Sequence, residues 1–284
     1  MSDKQRRKQW FGVGLVGAAL LLASVLLLMF FETSFIYFPS PDVFDSPADY
    51  GLLYEDVHTE ASDGVELHGW LMKPVGEPRA WLLFSHGNAG NVSGRPEIAR
   101  PLVERGMAVL LYDYRGYGRS KGNPDEAGTY RDAEAMLSVL LDRASSPKRV
   151  FLFGRSLGGG VSYEIAVRHP ELGGLITDAT FTSMPDMARK VFPIPGAWLL
   201  VRTKYDNLKK APNVRMPRLV MHGTRDELIP FTMGQALRDA TDPPAAFFPI
   251  EGGGHNDTFV VGGREYAEVV RRFVDTCLDG AASD

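Results

Sequence analysis

The sequence predicts an α/β fold in which a mostly parallel sheet carries helices on both faces. Continuous apolar runs at 80–85 and 107–112 have the composition of strands that are covered on both sides. Helical patterns at 92–105 and 125–143 follow these runs, so strands and helices alternate along the chain. In such a sheet ligands bind at the carboxyl ends of the strands, where we expect the functional site.

The remaining elements continue this alternation. Segment 65–73 alternates apolar and polar residues, as a half-buried antiparallel strand does. Further strands are predicted at 150–153, 174–177, 218–221 and 245–250, with a helix after Ser156 and a closing helix over 266–278. The proline-rich segment 181–216 interrupts this alternation of strands and helices. It is either a lid or acyl pocket above the sheet edge, or an ordinary surface helix packed on the sheet.

Composition limits the classes of function. The chain has 284 residues, 44% hydrophobic and 23% charged, which indicates a folded protein with one large domain over residues 50–284. The net charge of −4 shows no excess of basic residues, so binding to nucleic acid is not expected. The single cysteine, Cys277, excludes internal disulfides and cysteine-rich metal sites. No cofactor is expected, and no metal, because the six histidines are scattered without ligand spacing.

The N-terminal part of the chain predicts a membrane anchor. A basic segment, 1–10, precedes the uncharged run 11–31, which as a helix would be about 31 Å long, close to the bilayer core of about 30 Å. The run is longer than a signal-peptide core and lacks a small-residue cleavage site, so we expect it to stay uncleaved. The proline-rich linker 32–49 follows. The basic end places the N-terminus in the cytoplasm and the domain on the outer or periplasmic side of the cell membrane.

One short motif carries the chemistry. Residues 154–158 read G-x-S-x-G, between an apolar strand and a helix, and a serine at such a turn projects its hydroxyl out of the sheet. A second match, 118–122, is followed by Asn123-Pro124, which is a turn signal rather than a helix start. Ser120 is therefore interpreted as a loop serine, and Ser156 as the nucleophile.

A serine hydroxyl needs a base, and the base follows the nucleophile in chains of this kind. His255 lies in a glycine-rich loop between the last strand and the final helix, where it can reach over a strand edge. His169 precedes a proline at the end of the helix after Ser156, and is interpreted as a helix cap. His222 is assigned to shaping a turn. His255 is thus the predicted base.

The base in turn needs an orienting carboxylate. Asp226 follows the strand 218–221 by a short turn and is our prediction, with Asp178 as its rival at the end of another strand. Asp257 is too close to His255 in sequence. The predicted oxyanion hole combines the N–H of Leu157 with that of Asn88, or of Ala89 in its place. His86 is assigned a structural role beneath the site.

Five motifs in order give the chain a resemblance to a known family. They are His86–Asn91, Asp113–Ser120, Gly154–Gly159, His222–Asp226 and Gly254-His255. Together they resemble the α/β-hydrolase fold, and are most similar to the membrane-anchored serine hydrolases of that family, a branch with lysophospholipases and protein depalmitoylases. The resemblance spans about residues 50–278. It implies the triad Ser156, Asp226 and His255, and a structural role for the Asp113–Ser120 turn.

These residues lead to one expected function and two alternatives. We expect a serine hydrolase that cleaves carboxylic esters or thioesters through an acyl-enzyme, with small-molecule or lipid substrates beside the membrane. A peptidase or amidase would use the same triad. A non-catalytic binding protein on the same fold would have lost triad residues, and none is missing. The sequence does not fix the oligomeric state or the acyl group.

Overall fold

The computed structural model describes Gln5, Trp10, residues 32–191 and residues 196–281. The predicted anchor, 11–31, lies outside these residues. Within the part of the chain that is described, no helix combines the length and the apolar composition needed to cross a bilayer.

Eight strands form one sheet in the described residues. Their bounds in chain order are β2 Tyr54–Glu60, β3 Glu66–Met72, β4 Ala80–Ser85, β6 Met107–Tyr112, β7 Val150–Arg155, β8 Gly174–Asp178, β9 Arg218–Gly223 and β10 Ala246–Ile250. Across the sheet the order is β10-β9-β8-β7-β4-β6-β3-β2. The pairs β2–β3 and β3–β6 are antiparallel, and the other pairs are parallel. Two short strands, β1 Phe38–Pro39 and β5 Ala89–Gly90, pair in parallel with each other.

Helices connect the strands. Their bounds are α1 Glu32–Ile36, α2 Pro96–Val103, α3 Glu126–Leu141, α4 Leu157–Arg168, α5 Met184–Val191, α6 Asn207–Lys210, α7 Phe231–Asp239 and α8 Thr258–Ala281. The last of these is interrupted at Gly263, whose φ of 51° is not helical. The mostly parallel sheet with interleaved helices agrees with the predicted α/β class.

Helices cover both faces of the sheet, as the continuous apolar runs predict. Leu83 of β4 packs in one buried cluster with Leu137 of α3 and Ile165 of α4. Its neighbour Leu82 points to the opposite face, in a second cluster with Leu102 of α2. Because successive side chains of a strand alternate between faces, both faces need an apolar cover, and each has one.

The predicted strands agree closely with the observed bounds, but two differences have physical causes. Strand β2 was not predicted, because it is rich in polar residues and buries only Val57. The predicted helix 92–105 is shorter, since α2 begins at Pro96, a residue suited to the first helical turn. The expected linker 32–49 lies against the domain: it contains α1 and β1, and Pro47–Tyr50 forms a 3₁₀ turn.

Candidate active site

Ser156 stands at a sharp turn between β7 and α4. Its φ of 54° and ψ of −118° are unusual for a residue with a side chain, and such strain is characteristic of nucleophile turns. Both flanking glycines are required by close contacts. A Cβ on Gly158 would overlap the backbone carbonyl of Ser85, and one on Gly154 would lie 2.5 Å from the carbonyl oxygen of Gly158. The G-x-S-x-G pattern is therefore the pattern that this turn can accommodate.

The structure brings Ser156, His255 and Asp226 together in one chain of hydrogen bonds. The Nε2 atom of His255 lies 3.1 Å from the Oγ of Ser156, and its Nδ1 lies 2.8 Å from Oδ2 of Asp226. All three residues are buried. Because an ionised carboxylate only accepts hydrogen bonds, Nδ1 carries the proton in this arrangement and Nε2 is free to accept from the serine hydroxyl.

Asp226 is held as a carboxylate by its surroundings. Its Oδ1 accepts hydrogen bonds from the backbone N–H groups of Leu228 and Ile229, at 2.9 and 2.7 Å. Burial acts to raise the pKa of Asp226, but the hydrogen bonds from His222, His255 and Ile229 outweigh it and hold this pKa well below its usual range. The residue thus presents a fixed negative charge to His255 at neutral pH.

The loop that carries His255 is fixed at several points. The N–H of Arg225 donates to the carbonyl of Gly253 at 2.9 Å, and the N–H of Gly254 donates to Asp257 at 2.6 Å. From beneath, the guanidinium of Arg155 donates to the carbonyl of His255 at 2.6 Å. The imidazole is therefore positioned through its own backbone as well as through Asp226.

The alternative acid and bases make other hydrogen bonds, and of their side chains that of His222 also contacts the triad, with Nε2 at 3.4 Å from Oδ2 of Asp226. Asp178 accepts from the hydroxyls of Thr258 and Tyr266 at 2.8 and 2.9 Å, and its Oδ2 lies 3.3 Å from Nε of Arg155. His222 Nε2 donates to the carbonyl of Ile229 at 2.9 Å, which supports the turn after β9. His169 stands at the C-terminal cap of α4, with Nε2 at 2.7 Å from Glu134.

The second serine match also has a defined place. The Oγ of Ser120 donates to the carbonyl of Asp113 at 2.8 Å and accepts from the N–H of His68 at 2.9 Å. It joins the loop after β6 to strand β3. Both hydrogen-bonding functions of this buried hydroxyl are occupied by backbone groups, which agrees with a loop serine.

The predicted oxyanion loop lies next to Ser156. A Cβ added to Gly87 would lie 3.5 Å from the Cβ of Ser156, so the backbone of this loop approaches the serine directly. Leu157 is the first residue of α4, where N–H groups lack intrahelical acceptors and the helix dipole favours negative charge. The choice of Asn88 or Ala89 as the second donor stays a prediction.

His86 lies below this loop, as predicted. Its Nδ1 is 2.6 Å from the carbonyl oxygen of Gly87, and its Nε2 is 3.7 Å from Asp113. Complete burial lowers the pKa of His86 to about 4. The hydroxyls of Tyr114 and Tyr117 donate to the carbonyls of His86 and Asn88, both at 2.8 Å. The Asp113–Ser120 turn therefore supports the loop 86–91, which agrees with the structural role that the resemblance implied.

The segment 181–216 contacts the acid loop. Lys190, near the end of α5, donates to the carbonyls of Glu227 and Leu228 at 2.8 and 2.6 Å. Further along, Tyr205 is fully buried, and a Cβ on Gly160 of α4 would lie 2.7 Å from its ring. The first part of the segment thus contacts the loop that carries Asp226, and a later part packs on α4, the helix that follows Ser156.

The contact of Arg155 with His255 was not predicted from the sequence. Arg155 is visible in the sequence directly before Ser156, but its contact with His255 joins the end of β7 to the loop after β10, 100 positions later. Sequence reasoning also missed one possible group of metal ligands. Ligand atoms of Asp56, His58 and His68 lie within 4.8 Å of one another, because β2 and β3 pair in register.

Comparison with known proteins identifies the family. A family model described as "Serine aminopeptidase, S33" matches residues 76–205. The alpha/beta hydrolase domain-containing protein WAV2 of Arabidopsis thaliana is 33% identical over 281 residues, covering 90% of this chain and 91% of that protein. The chain belongs to the α/β-hydrolase family.

Other comparisons agree with this assignment. The uncharacterized protein YfhR of Escherichia coli K12 is 32% identical over 234 residues, covering 80% of this chain and 81% of its own length. Among solved structures, the esterase Pf2001 of Pyrococcus furiosus superposes with a TM-score of 0.68 at 22% identity, over 84% of this chain and 98% of the esterase. At that identity the match is evidence for the fold of this α/β hydrolase.

Proposed function

We propose that this α/β hydrolase is a serine hydrolase that cleaves carboxylic ester or thioester bonds. The observation that carries the proposal is the continuous hydrogen-bond chain from Ser156 through His255 to Asp226. A base at 3.1 Å from the hydroxyl, oriented by a buried carboxylate, is the arrangement that activates a serine at neutral pH.

In the acylation step, Oγ of Ser156 attacks the acyl carbonyl while its proton moves to Nε2 of His255. The imidazolium that forms is stabilised by Asp226, which stays ionised. The negative charge that develops on the carbonyl oxygen is stabilised by hydrogen bonds from the backbone N–H of Leu157 and of Asn88 or Ala89. The proton on Nε2 then passes to the departing alcohol or thiol, leaving an acyl-serine.

Deacylation runs through the same groups in reverse. His255 takes a proton from water, the resulting hydroxide attacks the acyl-serine, and the oxyanion forms again in the same hole. The proton returns to Oγ of Ser156 as the carboxylic acid leaves. No group beyond the triad and the backbone donors is needed for this cycle.

We further propose that the enzyme is anchored by residues 11–31 and acts on lipid or acylated substrates on the outer side of the membrane. The length and lack of charge of that run support the anchor. Phe35 and Phe38, which follow it, are 55% and 51% exposed, as interface aromatics are.

A peptidase or amidase is the second candidate, because the matched family model is described as a serine aminopeptidase. Both candidates use the same triad, so they differ only in the leaving group and in the pocket that receives it. Side-by-side hydrolysis of a p-nitrophenyl ester and of an aminoacyl p-nitroanilide separates them. Faster turnover of the anilide would contradict the esterase proposal.

The nucleophile is tested with a fluorophosphonate probe on full-length protein in detergent. The wild type should be labelled, Ser156→Ala should not, and Ser120→Ala is the matched control that should be labelled like the wild type. An unlabelled wild type, or labelling of Ser156→Ala, would contradict the proposal. An unlabelled but folded wild type would instead favour a non-catalytic protein.

A further inference from the structure

The segment that leads from residue 32 into the domain forms a parallel ladder with the oxyanion loop. The N–H of Phe38 donates to the carbonyl of Asn88 at 3.0 Å, and the N–H of Ser40 donates to the carbonyl of Gly90 at 2.9 Å. This is the β1–β5 pair, which is separate from the main sheet. The oxyanion loop thus pairs with a segment about fifty positions earlier in the chain.

Side chains of the loop reach back to the same segment. The amide Nδ2 of Asn88 donates to the carbonyl of Ile36 at 2.9 Å. The amide Nδ2 of Asn91 donates to the carbonyls of Ser40 and Asp42, at 3.0 and 2.8 Å. Asn91 is fully buried, and its Oδ1 accepts from the N–H of Ser93 at 2.7 Å, which fixes the orientation of the amide. Segment and loop therefore hold each other through backbone and side-chain bonds.

The segment is itself fixed at its start. The carboxylate of Glu32 accepts from the backbone N–H groups of Arg202 and Thr203, at 3.0 and 2.7 Å. The hydroxyl of Tyr37 lies 2.9 Å from that of Tyr205. Burial acts to raise the pKa of Glu32, but these backbone donors lower it below its usual value, so the residue stays charged. The ladder is therefore attached to residues 202–205 of the domain.

The position of the oxyanion loop is set from two sides. Tyr114 and Tyr117 hold its carbonyls from the turn after β6, and residues 36–42 hold it from the other edge. An oxyanion hole stabilises the transition state only when its donors are fixed in place before the reaction. A loop held on one side alone would lose that preorganisation.

We propose that residues 36–42 are a positioning element of the active site, and that the side chains of Asn88 and Asn91 are positioning residues through which it fixes the oxyanion donors. The inference rests on the proposed serine-hydrolase function. It assigns the N-terminal segment a part in the chemical step, beyond attachment of the domain to the membrane.

Asn91→Asp is the sharpest test, carried out in the full-length protein in detergent. The substitution keeps the acceptor for Ser93 and places a carboxylate oxygen against the carbonyls of Ser40 and Asp42. Asn88→Asp removes the side-chain bond to Ile36 and keeps the carbonyl of residue 88 as acceptor for Phe38 and Tyr117. Asn213→Asp is the matched control, because its exposed amide also donates to a backbone carbonyl, that of Lys209.

Three quantities are measured for each variant: kcat and KM on a short soluble p-nitrophenyl ester per fluorophosphonate-titrated site, and Ki for a trifluoromethyl ketone. The ketone adds to the serine and places its oxyanion in the hole. Because loss of one oxyanion donor lowers kcat by ~10²–10³, partial displacement of the loop should lower it ~10- to 100-fold. Ki should rise by the same factor, with little change in KM.

The outcomes separate this inference from the proposed function. If Asn88→Asp and Asn91→Asp keep the kcat and Ki of Asn213→Asp, or if kcat falls with Ki unchanged, the segment does not position the hole. Asn88 is only half-buried, so its variant gives a reading even if Asn91→Asp fails to fold. A wild type that neither labels nor hydrolyses any ester overturns the proposed function itself.

Discussion

The guanidinium of Arg155 donates a 2.6 Å hydrogen bond to the backbone carbonyl of His255. Arg155, directly before the proposed nucleophile Ser156, therefore holds the backbone of the proposed base His255. Asp178 lies behind the same guanidinium, at 3.3 Å from Nε. A carboxylate that was a rival for the orienting acid thus acts on the base through an arginine.

Arg155→Lys should lower kcat while leaving the fold intact. Lysine keeps the charge beside Asp178 but lacks the planar fork that reaches His255. Displacement of the imidazole by about 1 Å can cost ~10²-fold in rate, so we expect a loss of 10- to 100-fold. Ester hydrolysis per labelled site measures it. Unchanged kcat in a variant of normal stability would contradict the role of the Arg155–His255 bond.

Asp226→Asn and Asp178→Asn should have different effects. The first removes the charge that orients His255 and should lower kcat by ~10⁴, as expected for a triad acid. The second leaves the triad complete but weakens the hydrogen bonds from Thr258 and Tyr266. It should lower the free energy of unfolding by about 1–3 kcal/mol and change kcat less than Asp226→Asn does. For both variants, kcat is measured by ester hydrolysis and the free energy of unfolding by urea denaturation. A larger kcat loss in Asp178→Asn would reverse the assignment.

Ser120→Ala should reduce stability and preserve catalysis. Removing Oγ leaves the buried N–H of His68 and the carbonyl of Asp113 without this partner, at a cost of about 1–3 kcal/mol. Urea denaturation measures the free energy of unfolding, and kcat is determined on the same sample. Loss of kcat at unchanged stability would mean that Ser120 has a chemical role.

Gly158→Ala should be strongly destabilising. The new methyl group would overlap the carbonyl of Ser85, and overpacking of a core costs about 1–3 kcal/mol or more. Gly280→Ala is the control, because a Cβ there meets nothing within 4 Å and alanine favours a helix by ~0.5–1 kcal/mol. Thermal unfolding should move in opposite directions for the two variants.

His86 should make stability depend on pH. Burial lowers its pKa to about 4 in the folded state, against about 6.5 in the unfolded chain. Between these values only the unfolded chain binds the proton, so the free energy of unfolding falls with falling pH, by about 3 kcal/mol in total. His86→Gln should show a smaller fall between pH 7 and pH 4. An identical pH profile for both proteins would contradict this contribution.

The sheet and the triad follow from patterns that are local in the sequence. Strands β4 and β6 are continuous apolar runs, and their observed bounds are those predicted. Ser156, Asp226 and His255 each follow a strand that the pattern predicted, and parallel strands bring such residues to one edge. The geometry among the three is set by that topology.

Other contacts had no local signal. Strand β2 lies at the sheet edge and exposes most of its polar side chains, so its sequence has little apolar alternation. The pairing of Phe38 with the oxyanion loop joins a proline-rich segment to a glycine-rich one, and both compositions indicate loops. The bond from Arg155 to His255 joins residues 100 positions apart. Each of these depends on tertiary placement, which composition does not encode.

The order of the strands has a consequence for how the proposed activity would be lost. Strand β7, which leads to the proposed nucleophile Ser156, is buried at every position, whereas β10, which precedes the proposed base His255, is an edge strand and is largely accessible. Amide groups at a sheet edge exchange with solvent through smaller openings than those at its centre. Under mild denaturant the loop that carries His255 would therefore open first, and the proposed activity would be lost while the central strands were still protected.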